Sequence, residues 1–260
     1  MNKKVLNKDL RKRIVEIITE AKEGHIPSSL SIIDIINYIY EKKINFQKLK
    51  KHKLDRDYFF LSKGHAAVAL FVVLEKFKLI TVSDLNTYGN FDSKYGGHPD
   101  KTKIKYVEAS TGSLGHGFPS AVGCALGLKI QSIGSKVYCL IGDGESHEGT
   151  IWESANIAAN NNLNNLTVIL DRNKSAQQLL KIENLEKKWR AFGWNVFVFN
   201  GHNKLSINKA FKKKFKNNKP TILIANTIKG YGIKMMEGHG AWHHKIPNQI
   251  EYKQIMKELK

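Results

Sequence analysis

Five short apolar runs, rich in β-branched and aromatic residues and separated by helix-length stretches, constrain the fold of this chain more than any other feature. They read YFFL at 58–61, KVYCLI at 136–141, LTVIL at 166–170, NVFVF at 195–199 and TILIAN at 221–226. Each is nearly continuous in apolar character, so both of its faces must be covered, which is the condition of a strand in a parallel sheet. Between them lie HAAVALFVVLEKF (65–77), FPSAVGCALGLKI (118–130), IWESANIAANN (151–161) and LSINKAFKKKF (205–215), with the length and composition of crossover helices. The expectation is an α/β fold: a doubly wound, mostly parallel sheet with helices on both faces. Two more helices are expected ahead of it, over 9–22 and 29–40, the second capped near Ser28 or Ser29 and separated from the first by the loop GHIPS. No repeat, low-complexity tract or linker divides the sequence. A single domain over 1–260, with a helical N-terminal segment over about 1–45, is therefore expected.

Several classes fall away on composition. No stretch approaches the ~18 consecutive apolar residues of a membrane span, and the basic N-terminus lacks the apolar core of a secretory signal. Cys124 and Cys139 sit inside apolar segments and match neither a disulfide framework nor a zinc cluster, so a cytoplasmic protein is expected. Lys and Arg number 42 against 23 Asp and Glu, a net charge of +19 that invites a nucleic-acid reading. Only Arg11, Arg13, Arg56, Arg172 and Arg190 are arginines, however, and bidentate recognition of phosphates and bases favours Arg. The basic runs at 48–53 and 209–219 also lack interleaved stacking aromatics. Solvated lysine on loops and helix faces accounts for the charge better than a nucleic-acid partner does.

In open parallel sheets ligands sit beyond the carboxyl ends of the strands, and two such ends carry suitable chemistry. After KVYCLI comes Gly142-Asp143-Gly144-Glu145-Ser146-His147-Glu148-Gly149, followed by a helix. The helix N-terminus offers free N–H groups to a phosphate, and the Asp143 carboxylate can hold a hard cation. The next strand, LTVIL, runs into Asp171-Arg172-Asn173, so an amide oxygen comes close to Asp143. One carboxylate, one amide and phosphate oxygens suit octahedral Mg²⁺. Asp-Gly alone is ordinary turn chemistry; the strand–helix–strand setting and the matching Asn are what make the pair specific. His25, His65, His98, His116, His147 and His243 lie in or beside Gly- or Pro-containing loops, the setting of groups that bond or move protons near neutral pH.

The run GDGESHEGTIWESANIAANNNLNNLTVILDRN resembles the diphosphate motif of thiamine diphosphate enzymes, in particular the N-terminal part of transketolase in its split, two-subunit form. The resemblance extends through GHIPSSLSIIDIINYIY, DRDYFFLSKGHAAVALFVVLE, Gly97-His98-Pro99, STGSLGHG, NTIKGYG and AWHHKIP. It implies the thiamine diphosphate-binding fold of the diphosphate (PP) type. It also implies thiamine diphosphate and Mg²⁺ as cofactors, with transfer of a two-carbon ketol unit from a ketose or ketose phosphate to an aldose. By the same resemblance Asp143, Asn173 and Ser175 would hold the metal. The cofactor would meet His65, His243, Gly142, Asp143, Gly144, Glu145 and Asn173, and its aminopyrimidine would meet the glycine loop at Gly112, Ser113 and Leu114. His25, His65 and His98 would act on the substrate, and Glu148 would lie at the contact with a partner. That partner would be a separate pyrimidine-binding subunit, in an α2β2 assembly.

Some residues depart from the family pattern. Ser113 and His116 stand where Pro and Gln are common, Ser28 replaces a glycine, and Gln177 and Gln178 follow Asn173 without the usual glycine. These departures surround the substrate mouth and bear on sugar specificity. Other thiamine diphosphate enzymes, namely deoxyxylulose-phosphate-synthase-like enzymes and the 2-oxo acid dehydrogenase α subunit, are the nearest alternatives; the His-Glu-Gly continuation after GDGES favours transketolase. A basic nucleic-acid-binding module is the alternative outside catalysis.

Overall fold

The computed structural model describes residues 5–178, 180–238 and 240–260, the Gln178 side chain excepted. Its elements run α1 (Lys8–Ala21), α2 (Ile26–Lys42), α3 (Phe46–Lys50), β1 (Tyr58–Leu61), α4 (Ala67–Lys76), α5 (Val82–Leu85) and α6 (Gly117–Ile130). They continue β2 (Val137–Gly142), α7 (Gly149–Asn160), β3 (Leu166–Arg172), α8 (Leu185–Ala191), β4 (Asn195–Asn200), α9 (Lys204–Lys212), β5 (Thr221–Asn226) and α10 (Gln249–Glu258). The five strands form one sheet in the order β1-β2-β3-β5-β4, and every pairing is parallel. All five carboxyl ends therefore lie along one edge, which brings Gly142 of β2 opposite Asp171 of β3.

Alternation along each strand sorts the core into two layers. Phe59, Leu61, Tyr138, Leu140, Ile169, Leu223 and Ala225 point to the side covered by α1, α2, α4, α9 and α10. Tyr58, Phe60, Val137, Cys139, Ile141, Val168, Leu170, Ile222 and Ile224 point to the side covered by α6, α7 and α8, where Trp189 and Trp194 meet edge to face at 4.9 Å. The sheet is thus doubly wound and wholly parallel. Among the described residues no helix is long and apolar enough to cross a membrane.

One expected boundary is wrong in a way that matters for the site. The second helix does not begin near Ser28 or Ser29 but at Ile26, with His25 at its N-cap. Pro27 lies in the first turn, where its missing N–H has no helical partner to lose. GHIPS is therefore only half loop: the break is confined to the segment around Lys22 and Gly24, both at positive φ, and Ser28 is buried in helix. The stretch 86–116 contains no regular element before α6. It is held by individual bonds such as Thr111 Oγ1 to Leu61 O at 2.8 Å and Gly89 N to Tyr95 O at 3.0 Å.

Candidate active site

The ends of β1, β3 and β5, together with α2, converge on one buried carboxylate. Asp171 is fully buried and accepts from Lys63 Nζ at 2.6 Å, Ser31 Oγ at 2.7 Å, Asn173 Nδ2 at 2.9 Å and the Thr227 hydroxyl. Burial opposes its charge, but Lys63, Thr227 and Ser31 overcome that and hold its carboxyl below the ordinary value. Asp171 fixes Asn173 by its NH₂ group, so the amide oxygen is turned away from it; that oxygen accepts from Ser175 N at 2.9 Å.

Asp143 stands one strand over. Its N–H donates to Asp171 O at 3.1 Å, while its carboxylate accepts from Gly144 N at 2.8 Å and from Lys174 N. Each carboxylate oxygen retains a lone pair. Burial, reinforced by Asp171 and offset by Lys63 and the two N–H groups, pushes the Asp143 carboxyl up to about 6. This carboxylate is short of positive charge, which a divalent cation would supply.

A cavity of about 230 Å³ opens over these groups, lined by Ser28, Lys63, His65, Leu114, Gly142, Asp143, Gly144, Glu145, Asn173, Ser175, Lys229 and His243. A groove of about 900 Å³ at the β4–β5 corner is larger, yet the expected metal-ligating groups converge in the smaller cavity. Lys229 reaches in from the loop after β5, its ammonium donating to Ser175 Oγ at 2.8 Å and lying against His243 Nδ1. Burial and the nearby Lys63 lower its pKa to about 8, against the pull of Asp143 and Asp171. Oxygen donors at one end and ammonium groups beside them suit a metal-bound diphosphate.

His65 and His243 line the cavity's other side, and His25 packs behind them. His25 meets His65 at 5.3 Å, His243 at 5.5 Å and His244 at 4.7 Å between ring centroids. Burial, then its histidine neighbours and Lys229, lower the His25 pKa to about 4. His65 is pushed well below its ordinary value by burial and then Lys63. Both rings are therefore neutral at pH 7 and can donate or accept one hydrogen bond each.

The glycine loop is divided. Leu114 faces the cavity, whereas Gly112 and Ser113 line a shallow recess with His98 and His116. A Cβ on Gly64 would fall 2.7 Å from Gly112 N, so that position requires glycine, and one on Gly112 would press on the exposed His98 ring at 3.0 Å. His98 is exposed at this recess rather than in the cavity. Glu145 lines the cavity, but its carboxylate is occupied: it accepts from the Ser62 hydroxyl, from Gly115 N at 3.0 Å and from Gly142 N at 3.1 Å. It ties β1, the glycine loop and β2 together. Glu148 is exposed at the N-cap of α7, against Gly115. Gln177 lines the β4–β5 groove instead of the cavity, and the Gln178 side chain lies outside the described residues.

Sequence reading missed Lys63, Lys229, Asp171 and His244. In a chain this rich in lysine, composition could not separate two buried ammonium groups from dozens of solvated ones. Position could have: Lys63 and Lys229 both follow closely on the carboxyl ends of strands.

A family model described as transketolase, thiamine diphosphate binding domain, matches residues 2–259. An apulose-4-phosphate transketolase subunit of Phocaeicola vulgatus is 37% identical over 255 residues, 96% of this chain and 90% of that protein. A 6-deoxy-6-sulfo-D-fructose transketolase subunit of a Clostridium species is 35% identical over 96% of this chain and 93% of its own length. Human transketolase is 32% identical over 96% of this chain, which spans only 41% of that protein. Among solved structures, transketolase of Campylobacter jejuni superposes with a TM-score of 0.88 at 29% identity, over 97% of this chain and 42% of its own. An R525L variant of the Pichia stipitis enzyme gives 0.87 at 26% identity, over 97% and 40%. The chain belongs to the transketolase family, matching the model of its thiamine diphosphate binding domain over residues 2–259.

Proposed function

We propose that this chain is the diphosphate-binding subunit of a two-subunit, transketolase-like enzyme that transfers a two-carbon ketol unit from a ketose to an aldose. The observation that carries the reading is the convergence of Asp143, Asn173 and Ser175 with Lys229 and His65 in one cavity across adjacent strand ends. Asp143, the Asn173 amide oxygen and Ser175 would hold Mg²⁺. Lys229 and His243 would bind the diphosphate, which would lie beside Gly142 and Gly144; Lys63, paired with Asp171, would add positive charge behind it. When bound, thiamine diphosphate supplies the carbon nucleophile and the electron sink of ketol transfer.

The chain's own side chains orient and move protons. Neutral His25 and His65 would bond the substrate's hydroxyl and carbonyl oxygens, with His98 approaching from the recess beyond Gly112. The glycine loop, through Gly112, Ser113 and Leu114, would carry the aminopyrimidine, and Glu148 would face the partner. Glu145 would act on that loop by holding it. Relatives named for a sugar phosphate and a sulfo-sugar favour an anion-bearing ketose as donor. Their naming as subunits, matched over nearly their whole length, supports a partner subunit, read here as the pyrimidine-binding half of an α2β2 assembly in which this chain is a single diphosphate-type domain over 1–260. The two unpaired cysteines, Cys124 and Cys139, fit a cytoplasmic setting.

Asp143→Ala tests the reading. Titration calorimetry with thiamine diphosphate and Mg²⁺ should show metal-dependent binding to the native chain and its loss in the variant, with the melting temperature little changed. Unchanged affinity would overturn the assignment.

A further inference from the structure

Lys229 is held in place from behind by a group that touches neither the cavity nor its ligand-binding residues. The loop after β4 carries His202, which is 8% exposed. Its ring lies flat on Tyr231, with centroids 3.7 Å apart and planes 12° from parallel. Its Nε2 accepts the N–H of Ile228, the residue before Lys229, at 2.9 Å. Its Nδ1 faces Asp34 Oδ2 at 3.3 Å. A ring nitrogen that accepts an amide N–H cannot itself carry a proton, so the proton sits on Nδ1 and is donated to Asp34. Asp34 is almost fully buried on α2 and is gripped from its other sides by Arg11 and by Asn7 Nδ2 at 2.8 Å.

Both sides of Lys229 are fixed by this group. Arg11, paired to the same Asp34, donates to Tyr231 O at 2.7 Å, two residues past Lys229, and to Leu30 O at 2.8 Å. Gly201 has no Cβ to keep the two loops apart; one built there would lie 2.5 Å from the Thr227 side chain. The arrangement resembles the way an acid fixes the tautomer of a functional imidazole, except that the imidazole here holds a backbone amide.

We propose that His202, in its neutral Nδ1–H form set by Asp34, is a positioning residue for Lys229, anchoring the loop that presents the ammonium to the cavity. This rests on the reading of that cavity as a diphosphate site. Loss of the Nε2 acceptor would strand the Ile228 N–H and let the Lys229 backbone drift. The ammonium would then miss the diphosphate although no ligand-contacting residue had changed.

The test is a double-mutant cycle on the full chain, read by calorimetry with thiamine diphosphate and Mg²⁺. His202→Leu should weaken binding about five- to tenfold, the scale of one hydrogen bond, and Lys229→Met should weaken it at least as much. The double variant should be no weaker than Lys229→Met alone, because a positioning residue has nothing left to position. His202→Gln, which returns an acceptor near the Nε2 position, should recover most of the affinity. A further loss in the double variant equal to that of His202→Leu alone would reduce His202 to general stability and overturn the proposal. So would unchanged affinity in His202→Leu. If Lys229→Met binds as the native chain does, or the native chain binds nothing, the diphosphate reading of the cavity fails first. Should His202→Leu not fold, ¹⁵N NMR of the native histidine rings decides: a protonated Nδ1 and bare Nε2 on His202 are expected, and a proton on Nε2 overturns the proposal.

Discussion

At the scale of single residues, the site is governed by burial of charge. Asp171 can stay ionised without solvent because Lys63 and three neutral donors surround it; a buried carboxylate missing its cation would be costly. The pKa of Asp143, buried with no paired cation in contact among the described residues, rises to about 6, whereas that of His25, buried and then crowded by other imidazoles, falls to about 4. His25 gives a stability prediction. Its folded pKa lies below that of the unfolded chain, so between about pH 6.5 and pH 4 the unfolded state binds a proton that the native state refuses. Native stability should fall as pH drops through that window. His25→Asn, which has no proton to gain, should lose less melting temperature over the same interval. Parallel acid limbs for the two proteins would show that His25 titrates normally.

At the scale of elements, helix starts and strand ends do the positioning. The early start of α2 at Ile26 puts His25 at the N-cap, packed against His65 and His243, and buries Ser28, whose carbonyl oxygen lies 2.9 Å from Ser31 Oγ. The loop after β5 depends on Gly230, which sits at φ +78° with its would-be Cβ only 2.1 Å from Met236 O. Alanine there must move the backbone on either side of Lys229. Gly230→Ala should therefore destabilise the chain by about 2 kcal/mol or more and weaken binding of thiamine diphosphate with Mg²⁺. Urea unfolding and calorimetry on the same preparation measure both effects. A variant with native stability and native affinity would mean that the loop has slack the geometry does not show.

At the scale of the whole molecule, the cavity is one-sided. The sheet edge supplies the groups proposed to hold metal and diphosphate, while Gly112, Ser113 and His98 open to solvent at a shallow recess. The relatives matched over nearly their whole length are named as subunits, and the single-chain transketolases are matched over about two fifths. This chain alone should accordingly show no ketol transfer, and activity should appear when the pyrimidine-binding partner is added. A coupled spectrophotometric assay with and without the partner decides it; steady turnover by the chain alone, verified free of host transketolase, would refute the split-enzyme reading. The +19 charge needs no special partner in this picture.

Much of this was legible in residue order because it depends on local pattern. All five strands were readable from apolar runs, since a strand covered on both faces leaves no polar position to confuse it. Two-sided covering followed from the helix-length intervals, and the placing of Asp143 and Asn173 at neighbouring strand ends followed from adjacent parallel strands. Other features depend on which distant segments meet. The sheet order β1-β2-β3-β5-β4 is not written in any one segment. Burial of Lys63 and Lys229 required the third dimension, because a lysine's environment comes from segments far away along the chain. So did the occupied carboxylate of Glu145, which looks free in GDGES but is claimed by Ser62 and Gly115, and the His202–Asp34 contact that links the β4 loop to α2. Local periodicity reports whether a residue faces a core; only the packed chain reports which neighbour it finds there.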